Sequence, residues 1–265
     1  MPEPGGSPGL RRVVRTMGTV FSCTVRDTPS PGLHRALDEA EALLHRADEV
    51  FSPYRPDSAV SLERAGAPVP KAWRAEADEV RALCEAAGYD TGGRFDAWYA
   101  GPYDPSGLVK GWAVERAARL LHEAGAAHVC LNGGGDIQLY GGPWRVGIAH
   151  PLRPDSYAAV VESAQGPLAL ATSGPAERGC HIIDPDTQAP PGNALASLTV
   201  LASGLTRADV LATAAYAVGA AGVRAWLEQQ PGVAALAVEE DGRAWTARGI
   251  AAPDFTMPRM LRRVG

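Results

Sequence analysis

The sequence is poor in cysteine, and its cysteines stand far apart. Cys23, Cys84, Cys130 and Cys180 form no CxxC pair, so their spacing signals neither a zinc site nor a dithiol redox centre. Free cysteine behaves as a small hydrophobic residue and is among the residue types most often buried. We therefore expect the four thiols to be free and to lie in the core.

An excess of positive charge and long apolar runs are also lacking. The chain has 25 Lys and Arg against 30 Asp and Glu, a formal net charge of -5, and contains no basic block, so we expect no nucleic-acid partner. No stretch approaches the ~18 apolar residues of a membrane span. The N-terminal MPEPGGSPGLRR has no apolar signal-peptide core and no lipobox. We expect no transmembrane segment and a cytoplasmic location.

What the chain does contain is enough apolar material for one large core. It has 265 residues, of which 46% are hydrophobic, and a chain of this length buries most of its surface on folding. No long linker or internal repeat divides it. We expect a flexible N-terminus at 1–11, one domain over 12–258 and a short tail at 259–265.

The apolar periodicity predicts both helices and strands. Spacings of three and four predict helices from Leu33, Val80 and Val114, a long one from Thr206 and another over about 220–230. Because short connections join most predicted strands, antiparallel pairing is favoured, and the fold class is α+β with mixed, largely antiparallel sheets flanked by helices. The predicted strands are 12–25 with a break at Met17-Gly18, 128–132, 136–140, 144–149, 157–163, 168–173, 197–203, 233–238 and 243–247.

The helix near Thr206 carries a carboxylate and a hydroxyl on one face. Asp209 and Thr213 are four residues apart, so they project from adjacent turns in the same direction. Carboxylate, hydroxyl and backbone carbonyl oxygens are the ligands that Mg²⁺ accepts, usually beside water and substrate phosphates. The structural alternative is a capping box in which Thr206 caps the helix and Asp209 stands at the third position. Both interpretations stay open at this point.

A turn rich in Pro and Gly leads through residues 106–111 into the third helix. It places Lys110 close to a helix N-terminus, where unpaired N–H groups and the helix dipole favour anions. The alternative is an ordinary loop with a solvated lysine. The segment is not a Walker A motif, which requires GxxxxGK[ST].

Two further segments have plain structural interpretations. NGGGD at 132–136 fits a hairpin turn, because Gly and Asn tolerate positive φ. In ATSGPAERGCHIIDP at 171–185, Cys180 and His181 are adjacent in an extended stretch and point to opposite faces, which disfavours a Cys-His catalytic pair. His181 alone could act as a general base only beside a metal and phosphate site.

Taken in order, these segments resemble the FAD:protein FMN transferase family of the ApbE type. The resemblance runs from about Met17 to the helix after Thr206 and covers most of the chain. The matching segments are MGTVF (17–21), FSPYRPDSAVS (51–61), GRFD (93–96), GLVKGWAVERAA (107–118), NGGGD (132–136), ATSG (171–174) with HIIDP (181–185), and ADVLATAAYAVG (208–219).

The resemblance implies an enzyme with a compact two-lobed domain that binds FAD and Mg²⁺. Such an enzyme cleaves the pyrophosphate of FAD, releases AMP and attaches FMN to a Thr or Ser hydroxyl in the flavinylation motif of an acceptor protein. By matching positions, the metal ligands are the Gly107 carbonyl, Asp209 and Thr213, and His181 is the general base. The FAD site is implied to contain Met17, Tyr54, Asp96, Asp104, Lys110, Thr172, Ser173 and His181.

Two other activities compete with this expectation. With water as the nucleophile the same site would be an FAD pyrophosphatase that releases FMN and AMP, and without turnover it would be an FAD-binding protein. The segment between Asp96 and Gly111 is also shorter than is usual in the family. Since no export signal is visible in the sequence, a cytoplasmic acceptor, or a flavin domain reached on the inner face of the membrane, is the expected partner.

Overall fold

The computed structural model describes residues 9–163, 165–174 and 195–252 and shows an α+β fold. The strands are β1 (Leu10–Thr16), β2 (Thr19–Val25), β3 (Val129–Gly133), β4 (Asp136–Tyr140), β5 (Trp144–Ala149), β6 (Tyr157–Ser163), β7 (Leu168–Ser173), β8 (Leu195–Ala202), β9 (Ala234–Glu239) and β10 (Ala244–Arg248). The helices are α1 (Pro31–Phe51), α2 (Ala59–Arg64), α3 (Arg74–Asp90), α4 (Ser106–Glu123), α5 (Leu205–Val218) and α6 (Ala220–Glu228), with a short 3-10 helix at Lys71–Trp73. The predicted fold class is confirmed.

Eight strands form one antiparallel sheet in the order β1-β2-β3-β4-β7-β8-β9-β10. The remaining two, β5 and β6, pair with each other as a separate antiparallel hairpin. The NGGGD turn joins β3 to β4 with Gly133 opposite Asp136, and its two central glycines have φ of +63° and +101°. These are the positive angles of a two-residue hairpin turn. The prediction of antiparallel pairing and of this turn is confirmed.

The large sheet is buried on both faces by different partners. Helices α1, α4 and α5 pack together over one face, and the β5–β6 hairpin covers part of the other. In β7, Ala169 and Ala171 face the helices while Leu168 and Leu170 pack against the hairpin side, as the alternation of a strand requires. Because the helix-facing side chains are small, α5 lies close to the sheet.

The start of α5 contradicts the capping-box interpretation, one of the two interpretations of Asp209. The helix begins at Leu205 after Gly204, which has extended angles and offers no side-chain cap. Thr206 is the second helical residue, and its N–H and hydroxyl both donate to Glu115 of α4. The capping-box prediction is therefore wrong, because a carboxylate from another helix occupies the place that Thr206 was predicted to take.

The cysteines within the described residues are free thiols. Cys23 and Cys84 are buried, as predicted, and Cys130 is half-buried. Burial raises the pKa of the Cys23 and Cys84 thiols to about 12 and that of Cys130 to about 11. These thiols are therefore protonated near neutral pH and serve as packing groups. Cys180 lies outside the described residues.

No helix among the described residues is both long enough and apolar enough to cross a bilayer.

Candidate active site

The candidate site lies where the first turns of α4 approach α5. At Gly111 a Cβ atom would lie 2.8 Å from the Asp209 Cβ and 2.9 Å from the Leu205 carbonyl oxygen, so only glycine allows this separation. One turn earlier, a Cβ on Gly107 would lie 3.2 Å from the Phe95 ring and 3.9 Å from the Thr213 methyl group. The three predicted metal-ligating residues, Gly107, Asp209 and Thr213, are thus brought together by one helix contact.

A hydrogen bond across this contact orients the carboxylate. The Gly111 N–H donates to Oδ2 of Asp209 at 3.1 Å, and Asp209 is only 8% exposed. In a regular α-helix the N–H of residue 111 binds the carbonyl of residue 107. The bond to Asp209 therefore competes for the N–H that would otherwise serve the Gly107 carbonyl, the same carbonyl that was predicted to bind a metal.

The donor set fits a hard divalent cation that also binds substrate oxygens. One carboxylate, one hydroxyl and one backbone carbonyl are oxygen ligands of the kind Mg²⁺ prefers, and Mg²⁺ usually completes its shell with water and phosphate. Across the described ranges, no three His, Cys, Asp or Glu side chains converge as an all-side-chain metal site. Asp209 is accordingly the one side-chain carboxylate of the set proposed here.

Lys110 is held by a buried ion pair. Its Nζ lies 2.7 Å from Oδ2 of Asp136, whose side chain is 2% exposed. The other carboxylate oxygen, Oδ1, accepts the N–H of Thr172 at 3.1 Å, and the Thr172 hydroxyl lies 2.9 Å from that of Thr199. Asp136 therefore ties α4 to β7 and β8. Sequence reasoning treated it only as the end of a turn, although a carboxylate opening an apolar strand was a usable signal.

A cavity of about 420 Å³ opens beside the first turns of α4. Four residues of the predicted FAD site line it, namely Met17, Tyr54, Asp104 and Lys110, and further lining residues that sequence reasoning missed are Asp48, Phe51, Ser52, Tyr99 and Ser106. The missed residues come from the end of α1 and the residue after it, and from the loop before α4 and the first residue of α4, so only the packing of these elements shows that they meet.

Met17 and Tyr54 line the cavity from two different loops. Met17 stands at the tip of the β1–β2 hairpin with φ +47°, beside Gly18 with φ +66°, in a two-residue turn. Tyr54 is 94% exposed at the rim of the cavity. Met17 is half-buried and packs against the core, so Tyr54 is the more open of the two to a ligand that enters from solvent.

Three predicted residues do not line the cavity. Asp96 is exposed and accepts the Trp98 N–H at 2.8 Å, and Thr172 and Ser173 lie at the end of β7, linked to Lys110 through Asp136. Asp104, by contrast, faces the cavity, accepts the Ser106 N–H at the start of α4 and pairs with Arg64 at 3.1 Å. His181 and the HIIDP segment lie outside the described residues.

Fold and site together define an α+β protein with a cavity, lined in part by Lys110, beside a close contact between α4 and α5. The sequence model of the ApbE family matches residues 100–237, a little over half of the chain. The chain therefore belongs to the ApbE family. The matched span contains the α4–α5 contact and the Lys110–Asp136 pair.

Curated relatives carry the name FAD:protein FMN transferase. The one from Vibrio cholerae serotype O1 is 35% identical over 130 residues, which cover 44% of this chain and 38% of that protein, so the match spans well under half of that relative. The one from Treponema pallidum is 29% identical over 328 aligned positions, covering 93% of this chain and 90% of that protein.

Solved structures show the same fold. The flavin transferase ApbE from Vibrio cholerae superposes with a TM-score of 0.75 at 23% identity, covering 91% of this chain and 97% of that one. The ApbE protein from Thermotoga maritima gives a TM-score of 0.76 at 21% identity, with 91% and 97% covered. At this level of identity the likeness concerns the fold.

Replacing Gly111 by alanine should push the two helices apart. The new Cβ would meet the Asp209 Cβ and the backbone of Leu205, so we expect a loss of about 1–3 kcal/mol in the free energy of unfolding. Urea unfolding measures it, with Gly222→Ala in α6 as the control. There the new Cβ would make only an ordinary van der Waals contact with Val218. The higher helix propensity of alanine should raise the free energy of unfolding of this variant by up to about 1 kcal/mol. Equal effects of the two substitutions would contradict the close contact.

Replacing Lys110 by methionine should leave Asp136 as a buried, unbalanced charge. We expect a loss of about 3–5 kcal/mol in the free energy of unfolding, much of it recovered in the double variant Lys110→Met/Asp136→Asn. Urea unfolding of both single variants and the double variant completes the cycle. The control is Arg145→Met, which breaks an exposed pair with Glu162 and should cost less than about 1 kcal/mol. If the losses in the free energy of unfolding of the two single variants simply add in the double variant, the coupling between Lys110 and Asp136 is refuted.

Proposed function

We propose that this protein transfers the FMN moiety of FAD to a Thr or Ser hydroxyl of an acceptor protein, with Mg²⁺ bound at the α4–α5 contact. The observation that carries the proposal is the close contact between α4 and α5, where Gly107 lies beside Thr213 and Gly111 lies beside Asp209. The adjoining turn of α4 lines the cavity with Lys110. The names of the curated relatives support the same reaction.

The proposed roles follow the positions of the side chains. Gly107, Asp209 and Thr213 would hold Mg²⁺, which when bound neutralises charge on phosphate oxygens and helps to position them. Lys110, whose ammonium group pairs with Asp136, lines the cavity. Met17, Tyr54 and Asp104, which line the cavity, are proposed as further FAD contacts. Asp96, Thr172 and Ser173 do not line it, and their part in FAD binding rests on the family resemblance alone.

The reaction is a displacement at the phosphorus atom of the FMN half of the pyrophosphate. The acceptor hydroxyl oxygen forms the new bond to this phosphorus, and the bond from phosphorus to the bridging oxygen breaks. AMP leaves with that oxygen. The proton of the attacking hydroxyl passes to a general base, which we propose is His181. The product is a phosphoester between FMN and the acceptor.

Mass spectrometry of an acceptor fragment with an exposed Thr or Ser flavinylation motif tests the reaction. After incubation with the protein, FAD and Mg²⁺, we expect a mass increase equal to FMN minus water, released AMP, and no adduct in EDTA. Asp209→Asn should lower the transfer rate about 100-fold or more, since even changes beyond the metal ligands cost 10–100-fold. Asp241→Asn, on the exposed β9–β10 turn, is the matched control.

The other outcomes of this experiment each name a different function. FAD converted to FMN and AMP without an adduct on the acceptor would support the pyrophosphatase in place of the transferase. Intact FAD that stays bound would support an FAD-binding protein. Full activity of Asp209→Asn would refute the metal assignment.

Replacing His181 by alanine tests the proposed base separately. We expect FAD binding, followed by quenching of flavin fluorescence, to be retained while the transfer rate falls about 10²–10⁴-fold. His45→Ala, which changes an exposed histidine of α1, should leave both quantities unchanged. A parallel loss of binding and transfer in His181→Ala would show that this residue builds the pocket instead.

A further inference from the structure

The first turn of α5 is capped by side chains from two other elements. Gly204 precedes the helix and has no side chain to accept the leading N–H groups, which would otherwise lack partners. Gln138 of β4 accepts the Leu205 N–H at 2.9 Å, and Glu115 of α4 accepts the Thr206 N–H at 2.8 Å and its hydroxyl at 2.7 Å. The start of the helix that carries Asp209 is therefore set by contacts from outside it.

Gly204 makes room for this carboxylate. A Cβ at position 204 would lie 2.9 and 3.0 Å from the two carboxylate oxygens of Glu115. Its φ of -124° is available to any residue, so the requirement for glycine comes from the close approach of Glu115 and not from the backbone angle.

Glu115 is the last of three regularly spaced contacts between α4 and α5. On α4, Gly107, Gly111 and Glu115 are four residues apart and share one face. Their neighbours on α5 are Thr213, Asp209 and Thr206, in reverse order. The helices thus run antiparallel through this contact, and the Glu115–Thr206 pair is one turn from the Asp209 contact.

The proposed cation site depends on this alignment. Gly107 belongs to α4, whereas Asp209 and Thr213 belong to α5, so sliding one helix along the other would separate the carbonyl from the two side chains. One helical turn amounts to about 5.4 Å, and much smaller shifts would already spoil a Mg²⁺ site, which demands near-ideal geometry.

We propose that Glu115 is a positioning residue that fixes the register of α5 on α4 and thereby keeps Gly107, Asp209 and Thr213 aligned for a divalent cation. The part of this proposal that concerns the divalent cation rests on the function proposed above. The effect acts through two hydrogen bonds to Thr206, and the negative charge at the helix N-terminus adds a favourable interaction with the helix dipole.

The test compares Glu115→Ala with Glu115→Gln, using Mn²⁺ as the probe cation. Free Mn²⁺ is measured by electron paramagnetic resonance, and hydrogen exchange is followed in peptides spanning 205–213. We expect the Mn²⁺ Kd of Glu115→Ala to rise about 10-fold or more, with faster exchange at the start of α5. Glu115→Gln should stay within about 3-fold of the wild type, since the amide oxygen accepts the same two bonds.

Arg116→Ala is the matched control on the same helix. It removes the ion pair of Arg116 with Glu79 of α3, so it should lower thermal stability without raising the Mn²⁺ Kd or the exchange of 205–213. If Glu115→Ala fails to fold, Thr206→Val, which removes only the hydroxyl bond, should give a smaller change in the same direction.

The outcomes separate this proposal from the proposed function. An unchanged Kd and exchange pattern in Glu115→Ala would overturn the positioning role, and a Glu115→Gln variant as weak as Glu115→Ala would show that charge acts instead of hydrogen bonding. If the wild type binds no Mn²⁺, the part of the proposal that concerns the divalent cation is overturned. The hydrogen-exchange rates then still decide whether Glu115 holds the start of α5.

Discussion

The close contact between α4 and α5 is the constraint on which the rest of the site depends. Gly111 lets the helices approach until its own N–H reaches the Asp209 carboxylate at 3.1 Å. A larger residue would force the helices apart and would separate Asp209 and Thr213 on one helix from the Gly107 carbonyl on the other. The close packing of the two helices and the proposed placement of the cation ligands therefore both require glycine at position 111.

The sheet supports this contact through the size of its side chains. Ala169 and Ala171 of β7 belong to the core on the helix side, where α5 packs on this strand, whereas Leu168 and Leu170 belong to the hairpin side. Small residues under a helix let its backbone lie near the strands. Asp136 then reaches Lys110 from the start of β4, so sheet and helix together fix the lysine beside the cavity.

Sequence reasoning succeeded where the signals are local. The strands at 136–140, 144–149, 157–163 and 168–173 coincide with the structure, because each combines apolar residues of strand length with flanking turn residues. The helix near Thr206 was predicted within one residue of its start, but its capping box was wrong because the groups that cap it, Glu115 and Gln138, are distant in sequence. The Lys110–Asp136 pair was missed for the same reason, since only the packing of α4 against β4 brings the two residues together.

The charges of the cavity explain why a divalent cation suits the proposed substrate. Among the described residues that line it, Lys110 is the cation, and Asp136 already balances its charge. Asp104 is likewise paired with Arg64. A pyrophosphate entering this region would therefore meet little net positive charge from the lining side chains. A cation held by Asp209, as proposed, would supply it beside the same turn of α4, so the proposed binding of the substrate would depend on the alignment of α4 and α5 as well as on Lys110.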